Sequence, residues 1–179
     1  MAILPAQLAA FKERVLAAKR VIVFYDDDGD GLSSYLLLYR ARGGDNGSTI
    51  GVRVHASASV PAEFALRKIE ENGGDLVVIL DKPYAEQALL ESCPLPIFWL
   101  DHHEPQTAAV ASAKETTYFN PRVEDDKDNR CTTHWVWHAL GRPEDLWIAA
   151  LGSISDWQMT DIAALVSCEE NNLIRMIME

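Results

Sequence analysis

The sequence predicts an α/β fold, a parallel β-sheet with helices on both faces and a helical C-terminal third. Three continuous apolar runs of strand length, at 21–25, 76–80 and 96–100, each stop at an acidic residue. Uninterrupted apolar runs are typical of strands that are buried on both faces of a parallel sheet. The intervals between the runs leave room for crossover helices, so strand and helix patterns alternate along the chain.

Local patterns predict the elements in chain order. Apolar residues recur at helical spacing over 5–19 and 61–72, and the second of these segments stops at Gly73 and Gly74. Residues 49–55 alternate apolar and polar side chains, as a half-exposed strand does. The predicted order is a helix over 5–19, a strand to Tyr25, a helix over 32–42, a strand over 49–55, a helix over 61–72, strands to Leu80 and Leu100 that flank a helix over 84–92, a short strand over 117–120, and helices from Arg130 onward.

Length and composition limit the class of protein. With 179 residues and 48% hydrophobic side chains, we expect one folded domain over the whole chain. No run approaches the roughly 18 apolar residues of a membrane span, and the N-terminus lacks a signal-peptide pattern. Cys93, Cys131 and Cys168 have no zinc or redox spacing, which fits a reducing cytoplasm. The net charge of -11 argues against a broad electrostatic grip on nucleic acid, but it does not exclude a nucleic-acid substrate.

Acidic residues gather where the predicted strands end. An acidic loop at 26–31 follows the first apolar run, Asp81 and Asp101 follow the next two, and we expect Asp156 to end a similar segment over 152–156. Because the carboxyl ends of parallel strands lie at one edge of a sheet, these side chains should meet there beside the imidazoles at 102 and 103. The repulsion between them would be costly without cations. The seven carboxylates are those of Asp26, Asp27, Asp28, Asp30, Asp81, Asp101 and Asp156.

The combination of carboxylates and imidazoles without cysteine predicts divalent metal ions. Carboxylate oxygens suit hard ions and imidazole suits borderline transition metals, so we expect manganese to be preferred, with magnesium or cobalt possible. There are more candidate ligands than one ion needs, which favours a site with two divalent ions. Such sites typically cleave phosphate esters with an activated water.

These motifs resemble those of the DHH phosphoesterases, in particular the RecJ-like branch. The first family motif, Asp-x-Asp-x-Asp-Gly, is matched at 26–31, the second at Asp81, the third at 101–103 and the fourth at Asp156. All four occur in order, and the resemblance covers most of the chain. It implies a DHH catalytic domain that hydrolyses phosphodiester bonds with a water activated by two metals. The metal ligands that it implies are Asp26, Asp28, Asp30, Asp81, His102 and Asp156.

The resemblance also implies roles for residues around the metals. His103 would act on the scissile phosphate as general acid or electrostatic clamp, and Asp101 would orient the histidines. Asp81 would bridge the two ions, and Asp27 would point to solvent. The first motif has no histidine, as in RecJ-like members. Lys82 stands where relatives often have a small residue, and it could contact phosphate or neutralise the local acidity.

Further residues are candidates for substrate contact. Ser33 and Ser34 lie at the start of a predicted helix, where they could bind a phosphate oxygen or cap the helix. Arg130 and Thr132 begin another helix, in a region that relatives bring towards the substrate. With Lys82, these residues form the predicted set of substrate contacts.

The resulting expectation is a RecJ-like exonuclease specific for single-stranded nucleic acid. The enzymatic alternative is an oligoribonuclease or a phosphodiesterase of (cyclic) dinucleotides. A replication-associated scaffold related to RecJ and a receiver-like signalling domain are the non-enzymatic alternatives. DHH phosphoesterases generally carry a C-terminal substrate-binding domain, which we expect to be absent from 1–179, so that a protein partner or that domain would complete substrate binding.

Overall fold

The computed structural model describes residues 5–55, 58–113 and 115–158 together with Ile162. The strands are β1 (Val21–Asp26), β2 (Thr49–Val54), β3 (Ser59–Val60), β4 (Leu76–Leu80), β5 (Tyr84–Ala85), β6 (Ile97–Leu100) and β7 (Thr116–Phe119). Five of them form a sheet in the order β2-β1-β4-β6-β7, in which every neighbouring pair is parallel. Strands β3 and β5 form a separate parallel pair.

Helices cover both faces of this sheet and dominate the C-terminal third, which confirms the predicted α/β class. They are α1 (Ala6–Ala17), α2 (Gly29–Ala41), α3 (Ala62–Asn72), α4 (Gln87–Ser92), α5 (Thr107–Ala111), α6 (Thr132–Leu140) and α7 (Leu146–Ser155), with short 3-10 turns at Pro121–Val123 and Pro143–Asp145. None of the helices in the part of the chain that the structure describes has the length and hydropathy to span a bilayer.

Two hydrophobic cores lie on opposite sides of the sheet. Val21 and Val23 of β1 belong to the core formed with α1, α2, α6 and α7. Ile22 and Phe24 of the same strand belong to the core formed with α3 and α4. All four side chains are fully buried. Burial on both faces explains why the central strands are continuous apolar runs rather than alternating patterns.

The strand order changes direction between β1 and β4. From β1 the chain passes through α2, on one face, to β2, and then through α3, on the other face, to β4. The crevice at the carboxyl ends of two strands where the order reverses is the usual ligand site of open α/β sheets. Asp26 is the last residue of β1 and Asp81 directly follows β4, so both lie at this crevice.

Two predictions of local structure are corrected. The helix expected over 84–92 is divided into β5 and α4. Asp156 does not follow a strand, because it is the C-cap of α7. Small residues let α7 pack closely against its neighbours: a Cβ atom at Gly152 would lie 2.3 Å from Thr133 Oγ1 and 2.8 Å from Ser33 Cβ. Helix packing therefore brings Asp156 to the edge where the strands end.

Candidate metal centre

The acidic loop after β1 forms the first turn of α2. Asp28 is the N-cap of this helix, and its carboxylate accepts a hydrogen bond from Gly31 N at 2.9 Å. A Cβ atom at Gly31 would lie 2.4 Å from the carbonyl oxygen of Asp26, so this close approach requires glycine. The turn directs Asp30 into the interior, where it is only 1% exposed. The helix therefore begins earlier than the sequence predicts.

The N-terminus of α6 meets the buried carboxylate of Asp30. The backbone amides of Thr132 and Thr133 donate to its two oxygens at 2.8 and 2.7 Å. Amides at a helix N-terminus carry partial positive charge and compensate part of a buried negative charge. Thr132 is itself 1% exposed, and its hydroxyl donates to Asp81 Oδ1 at 3.0 Å. Thr132 therefore joins two buried carboxylates and does not present its side chain to a substrate, contrary to the prediction.

Asp81 is the most constrained carboxylate of the site. Its backbone has a positive φ of 59°, and the residue is 1% exposed. Within the described part of the chain, its Oδ2 atom is buried without a hydrogen-bond partner. Burial raises the pKa of Asp81 well above its usual value, and the charges of Asp30 and Asp28 raise it further. A buried acceptor without a hydrogen-bond donor needs another partner, and a bound cation would provide one.

His102 faces three carboxylates with one nitrogen of its ring. Its Nε2 atom lies 3.4 Å from Asp81 Oδ1 and 3.8 Å from both Asp30 Oδ2 and Asp156 Oδ2. Its Nδ1 atom lies 3.4 Å from the carbonyl oxygen of Asn129. An Nδ1–H donor directed at that carbonyl leaves the Nε2 lone pair towards the carboxylates, which is the tautomer that a metal ligand needs.

These side chains can hold a divalent ion between them. Asp30, His102 and Asp156 offer ligand atoms that all lie within 4.8 Å of one another, and so do Asp81, His102 and His103. Burial raises the pKa of Asp156, the charge of His102 opposes that effect, and the charge of Asp30 adds to it. Oxygen and imidazole ligands together suit manganese and similar ions. The orphaned oxygen of Asp81 and this donor set therefore fit a metal.

His103 is positioned by Asp101 beside this cluster. His103 Nδ1 lies 2.7 Å from Asp101 Oδ1, and Asp101 Oδ2 accepts from the backbone N of His103 at 3.0 Å. The hydrogen bond to Asp101 raises the pKa of His103, although burial opposes the effect. The His103 side chain remains 41% exposed. A proton-bearing ring that is anchored at Nδ1 and open to the cleft can donate from its other nitrogen to a ligand.

Asp26 is engaged by a lysine and lies outside both clusters. Lys82 Nζ is 3.1 Å from Asp26 Oδ2, and the Lys82 side chain is 1% exposed. Lys82 therefore neutralises the acidity of the site, which is one of its two predicted roles, and it is too buried to present itself to a substrate from solution. Asp27, which we expect to point to solvent, is an exposed residue whose side chain is 23% exposed and pairs with His55. The hydrogen bond from His55 lowers the pKa of Asp27.

The remaining predicted substrate contacts lie in different environments. Ser34 is fully buried, with its hydroxyl 3.1 Å from Thr133 Oγ1, so it has no surface for a substrate. Ser33 is half-buried beside Gly152. Arg130 is 46% exposed at its side chain and pairs with Asp128.

Three polar residues that the sequence reasoning missed support the histidines and Asp156. The Asn120 amide donates to Asp101 Oδ2 at 3.3 Å and to the carbonyl oxygen of His103 at 2.9 Å. Asn129 supplies the carbonyl oxygen beside His102. The Gln158 amide donates to that same carbonyl and, at 3.1 Å, to Asp156 Oδ2. Of these three residues, only Asn120 has a feature in the sequence that could have identified it: it is a polar residue directly after a strand, β7.

A cavity of about 610 Å³ is lined in part by Asn120, and none of the candidate ligands Asp30, Asp81, His102 and Asp156 lies in its wall. Arg130 and Trp135 line it, with the guanidinium carbon of Arg130 4.2 Å from the centre of the Trp135 ring. Phe119 and the acidic residues at 124, 125 and 128 complete much of the wall. The cavity is large enough for a nucleoside-sized group. Asn120 links this cavity to Asp101 and His103.

Comparison with known proteins finds relatives in structure only. No protein-family model and no curated protein matches the chain. RecJ from Thermus thermophilus, solved in complex with Mn2+, is 24% identical, with a TM-score of 0.62 over 88% of this chain and 25% of that chain. Exonuclease RecJ bound to manganese is 24% identical, with a TM-score of 0.60 over 84% of this chain and 42% of that chain.

Two further solved structures have similar folds at lower identity. The DHH domain of a protein described as a member of a ribosomal-protein family is 14% identical, with a TM-score of 0.64 over 88% of this chain and 45% of that chain. CDC45 from Entamoeba histolytica is 13% identical, with a TM-score of 0.54 over 93% of this chain and 35% of that chain. The chain thus spans between a quarter and just under half of the length of these four structures.

Proposed function

We propose that this chain, which has the RecJ-like DHH-domain fold, is a metal-dependent phosphoesterase that hydrolyses phosphodiester bonds. One observation carries the proposal: the Nε2 atom of His102 lies within 3.8 Å of oxygens from Asp30, Asp81 and Asp156. Three carboxylates around an imidazole nitrogen at the switch point of a parallel sheet form a ligand set for a borderline divalent ion.

Manganese is the ion that this donor set favours, with magnesium or cobalt as substitutes. When bound, the ion would polarise a phosphoryl oxygen and lower the pKa of a water. Asp30, Asp81, His102 and Asp156 would hold it. The RecJ structures similar in fold contain manganese, which supports the choice. The ligand sets that the motif resemblance implied for two ions include Asp26 and Asp28, and neither belongs to the clusters that can hold a metal among the described residues.

His103 is the group that would act on the substrate. Its ring is held at Nδ1 by Asp101, so its Nε2 atom is the proton donor available to a phosphoryl oxygen or a leaving group. The raised pKa of His103 favours the protonated, donating form. Asp101 would orient this ring and stabilise its positive charge without touching the substrate.

Single-stranded nucleic acid is the proposed substrate, cleaved from one end. The cavity beside Asn120 could accommodate a nucleoside next to the scissile phosphate, and Arg130 stacked on Trp135 offers a planar surface of the type that binds bases. The fold shared with exonuclease RecJ also supports this choice. Short oligonucleotides and dinucleotides are the alternative substrates, since a cavity of this size holds one nucleoside.

The test is manganese-dependent release of nucleotides from end-labelled single-stranded DNA and RNA oligonucleotides and from a dinucleotide. We expect release by the parent chain and a loss of at least about 100-fold for Asp81→Ala, because that substitution removes a buried ligand. Asp126→Ala removes an exposed carboxylate and should retain full activity. Circular dichroism of each variant is the control for folding. Hydrolysis that is absent from the parent, or equal in parent and Asp81→Ala, would contradict the proposal.

A non-catalytic scaffold is the second candidate, because the fold of CDC45 matches 93% of the chain. A scaffold does not need the convergence of His102 with three carboxylates. It therefore predicts neither manganese binding nor nucleotide release, so the same experiment separates the two functions. A receiver-like role fits less well, because the strand-end carboxylate of Asp81 is 1% exposed and inaccessible to phosphorylation.

A further inference from the structure

We propose that the ammonium group of Lys82 takes the place of a divalent ion at Asp26, so that this chain binds one divalent ion rather than two. The inference rests on the proposed function, because it concerns the ions of the same site. It replaces the expectation of a two-ion site with one ion at Asp30, Asp81, His102 and Asp156 and a fixed protein charge beside it.

Lys82 is built into the site rather than attached to its surface. Its Nζ atom lies 3.1 Å from Asp26 Oδ2, and 1% of its side chain is exposed. Its backbone carbonyl accepts a hydrogen bond at 2.9 Å from the indole nitrogen of Trp99, a fully buried residue of β6. Lysine is rarely buried to this extent unless it is paired. The chain therefore places a lysine side chain against a carboxylate that the family resemblance assigned to a metal.

Two further carboxylate oxygens of the first motif accept hydrogen bonds from the backbone. Asp26 Oδ1 accepts from the backbone N of Asp27 at 2.8 Å, and Asp28 Oδ1 accepts from Gly31 N at 2.9 Å. Both clusters of ligand atoms found among the described residues contain His102, and neither contains Asp26 or Asp28. The candidate metal ligands therefore lie around His102. Asp26 and Asp28, at the start of the first motif, accept backbone hydrogen bonds, and Asp26 also pairs with Lys82.

An ion at Asp26 would have to compete with Lys82. A divalent ion binds carboxylate oxygen at about 2.2 Å, so an ion on Asp26 Oδ2 would lie within roughly 5 Å of the ammonium nitrogen. The two cations would repel each other beside a Lys82 side chain that is 1% exposed and an Asp26 side chain that is 21% exposed. Lys82 has almost no exposed surface through which it could withdraw. Occupation by the ammonium and occupation by an ion are therefore alternatives.

The direct test is the number of manganese ions per chain. Equilibrium dialysis with metal analysis should give about one ion per chain at saturation, and the electron paramagnetic resonance spectrum should be that of an isolated ion without exchange coupling. Lys82→Met removes the charge and keeps a similar side-chain length. We expect this variant to bind about two ions and to give the spectrum of an exchange-coupled pair.

Two control variants separate charge from other effects. Lys82→Arg keeps the positive charge and should stay at about one ion. Lys68→Met removes a lysine that pairs with Glu71 on the surface of α3, and it should also stay at about one ion. Two coupled ions in the parent chain would overturn the proposal, and so would one ion in folded Lys82→Met. If Lys82→Met does not fold, the parent stoichiometry and spectrum decide.

The outcomes distinguish this inference from the proposed function. If the parent binds about two ions and releases nucleotides, the phosphoesterase proposal stands and the role of Lys82 is wrong. If the parent binds no ion, both fail. One ion with nucleotide release supports both proposals.

Discussion

The carboxylates at the candidate metal centre have three kinds of polar partner: backbone amides, an ammonium group and a hydroxyl. Asp30 receives two backbone amides from the start of α6, and Asp26 receives the ammonium of Lys82. Asp81 receives one hydroxyl, from Thr132, and keeps its second oxygen without a partner among the described residues. Burial of such an oxygen is costly without a cation. Asp81 is therefore the side chain whose environment most needs the metal.

The pair formed by Asp101 and His103 gives a prediction about single side chains. Asp101→Asn keeps the shape of the side chain but removes the charge that orients and stabilises the protonated ring of His103. We expect kcat to fall about 10²–10⁴-fold. The manganese dissociation constant should change by less than about tenfold, because Asp101 acts beside the ligand cluster and not in it. Steady-state kinetics and a manganese titration measure the two effects.

Glu104→Gln is the matched control for Asp101→Asn. Glu104 is an exposed carboxylate on the same loop, paired with Arg122 at 3.0 Å. It should leave kcat unchanged. An Asp101→Asn variant with parental kcat would show that the action of His103 does not need the charge of Asp101.

Among the secondary-structure elements, helix ends bring much of the site together. The first turn of α2 provides Asp30, the start of α6 binds it, and the end of α7 provides Asp156. Arg40 of α2 is anchored 2.6 Å from Asp145, at the turn before α7, and Arg142 binds the other oxygen of Asp145 at 2.7 Å. Asp145 therefore ties α2 to the turn before α7, in addition to the packing of Gly152 against Ser33.

Asp145→Asn should destabilise the fold in a pH-dependent way. Burial raises the pKa of Asp145, but the hydrogen bonds from Arg142 and Arg40 outweigh that effect and lower it overall. A folded-state pKa below the unfolded value of about 3.9 stabilises the fold above that pH, and the stabilisation is lost as the pH falls through the folded pKa. We expect a loss of about 1–3 kcal/mol in unfolding free energy at pH 7.

Urea denaturation of Asp145→Asn and parent at several pH values tests this prediction. The difference between them should begin to shrink near about pH 4, where the unfolded parent chain takes up a proton at this carboxyl, and should be lost as the pH falls through the lower folded-state pKa. Glu144→Gln, in the adjacent exposed position, should change stability by less than about 0.5 kcal/mol. A difference for Asp145→Asn that is independent of pH would contradict the ion-pair explanation.

The sequence predicts elements well where one physical rule dominates. Continuous apolar runs identified the central strands because both faces of the sheet are buried. The segment that ends at Asp156 was assigned to a strand end because the small residues before it do not reveal a helix by periodicity. The position of Asp156 at the site follows from the close packing of Gly152 against Thr133, and that contact is not visible in the local sequence.

In the molecule as a whole, the site is formed by residues that are distant in the sequence and meet only in the folded chain. Its ligands come from the carboxyl ends of β4 and β6, from the first turn of α2 and from the end of α7. The meeting of Asp26, Asp81 and Asp101 at one edge was predictable, because strand ends of a parallel sheet share one edge, whereas Asp156 reaches that edge from a helix end. The neighbours that hold them were not: Lys82 meets Asp26, and Gln158 meets Asn129, through tertiary packing that no motif encodes.

The most direct test of the metal centre is anomalous diffraction at the manganese absorption edge from crystals of the parent chain grown with Mn2+. We expect an anomalous peak within coordination distance of Asp30, Asp81, His102 and Asp156, and none at Asp26, where Lys82 lies. A second peak at Asp26 would contradict the role of Lys82 alone. The absence of an anomalous peak at His102 would contradict the proposal of a metal centre, whether or not manganese is bound elsewhere in the crystal.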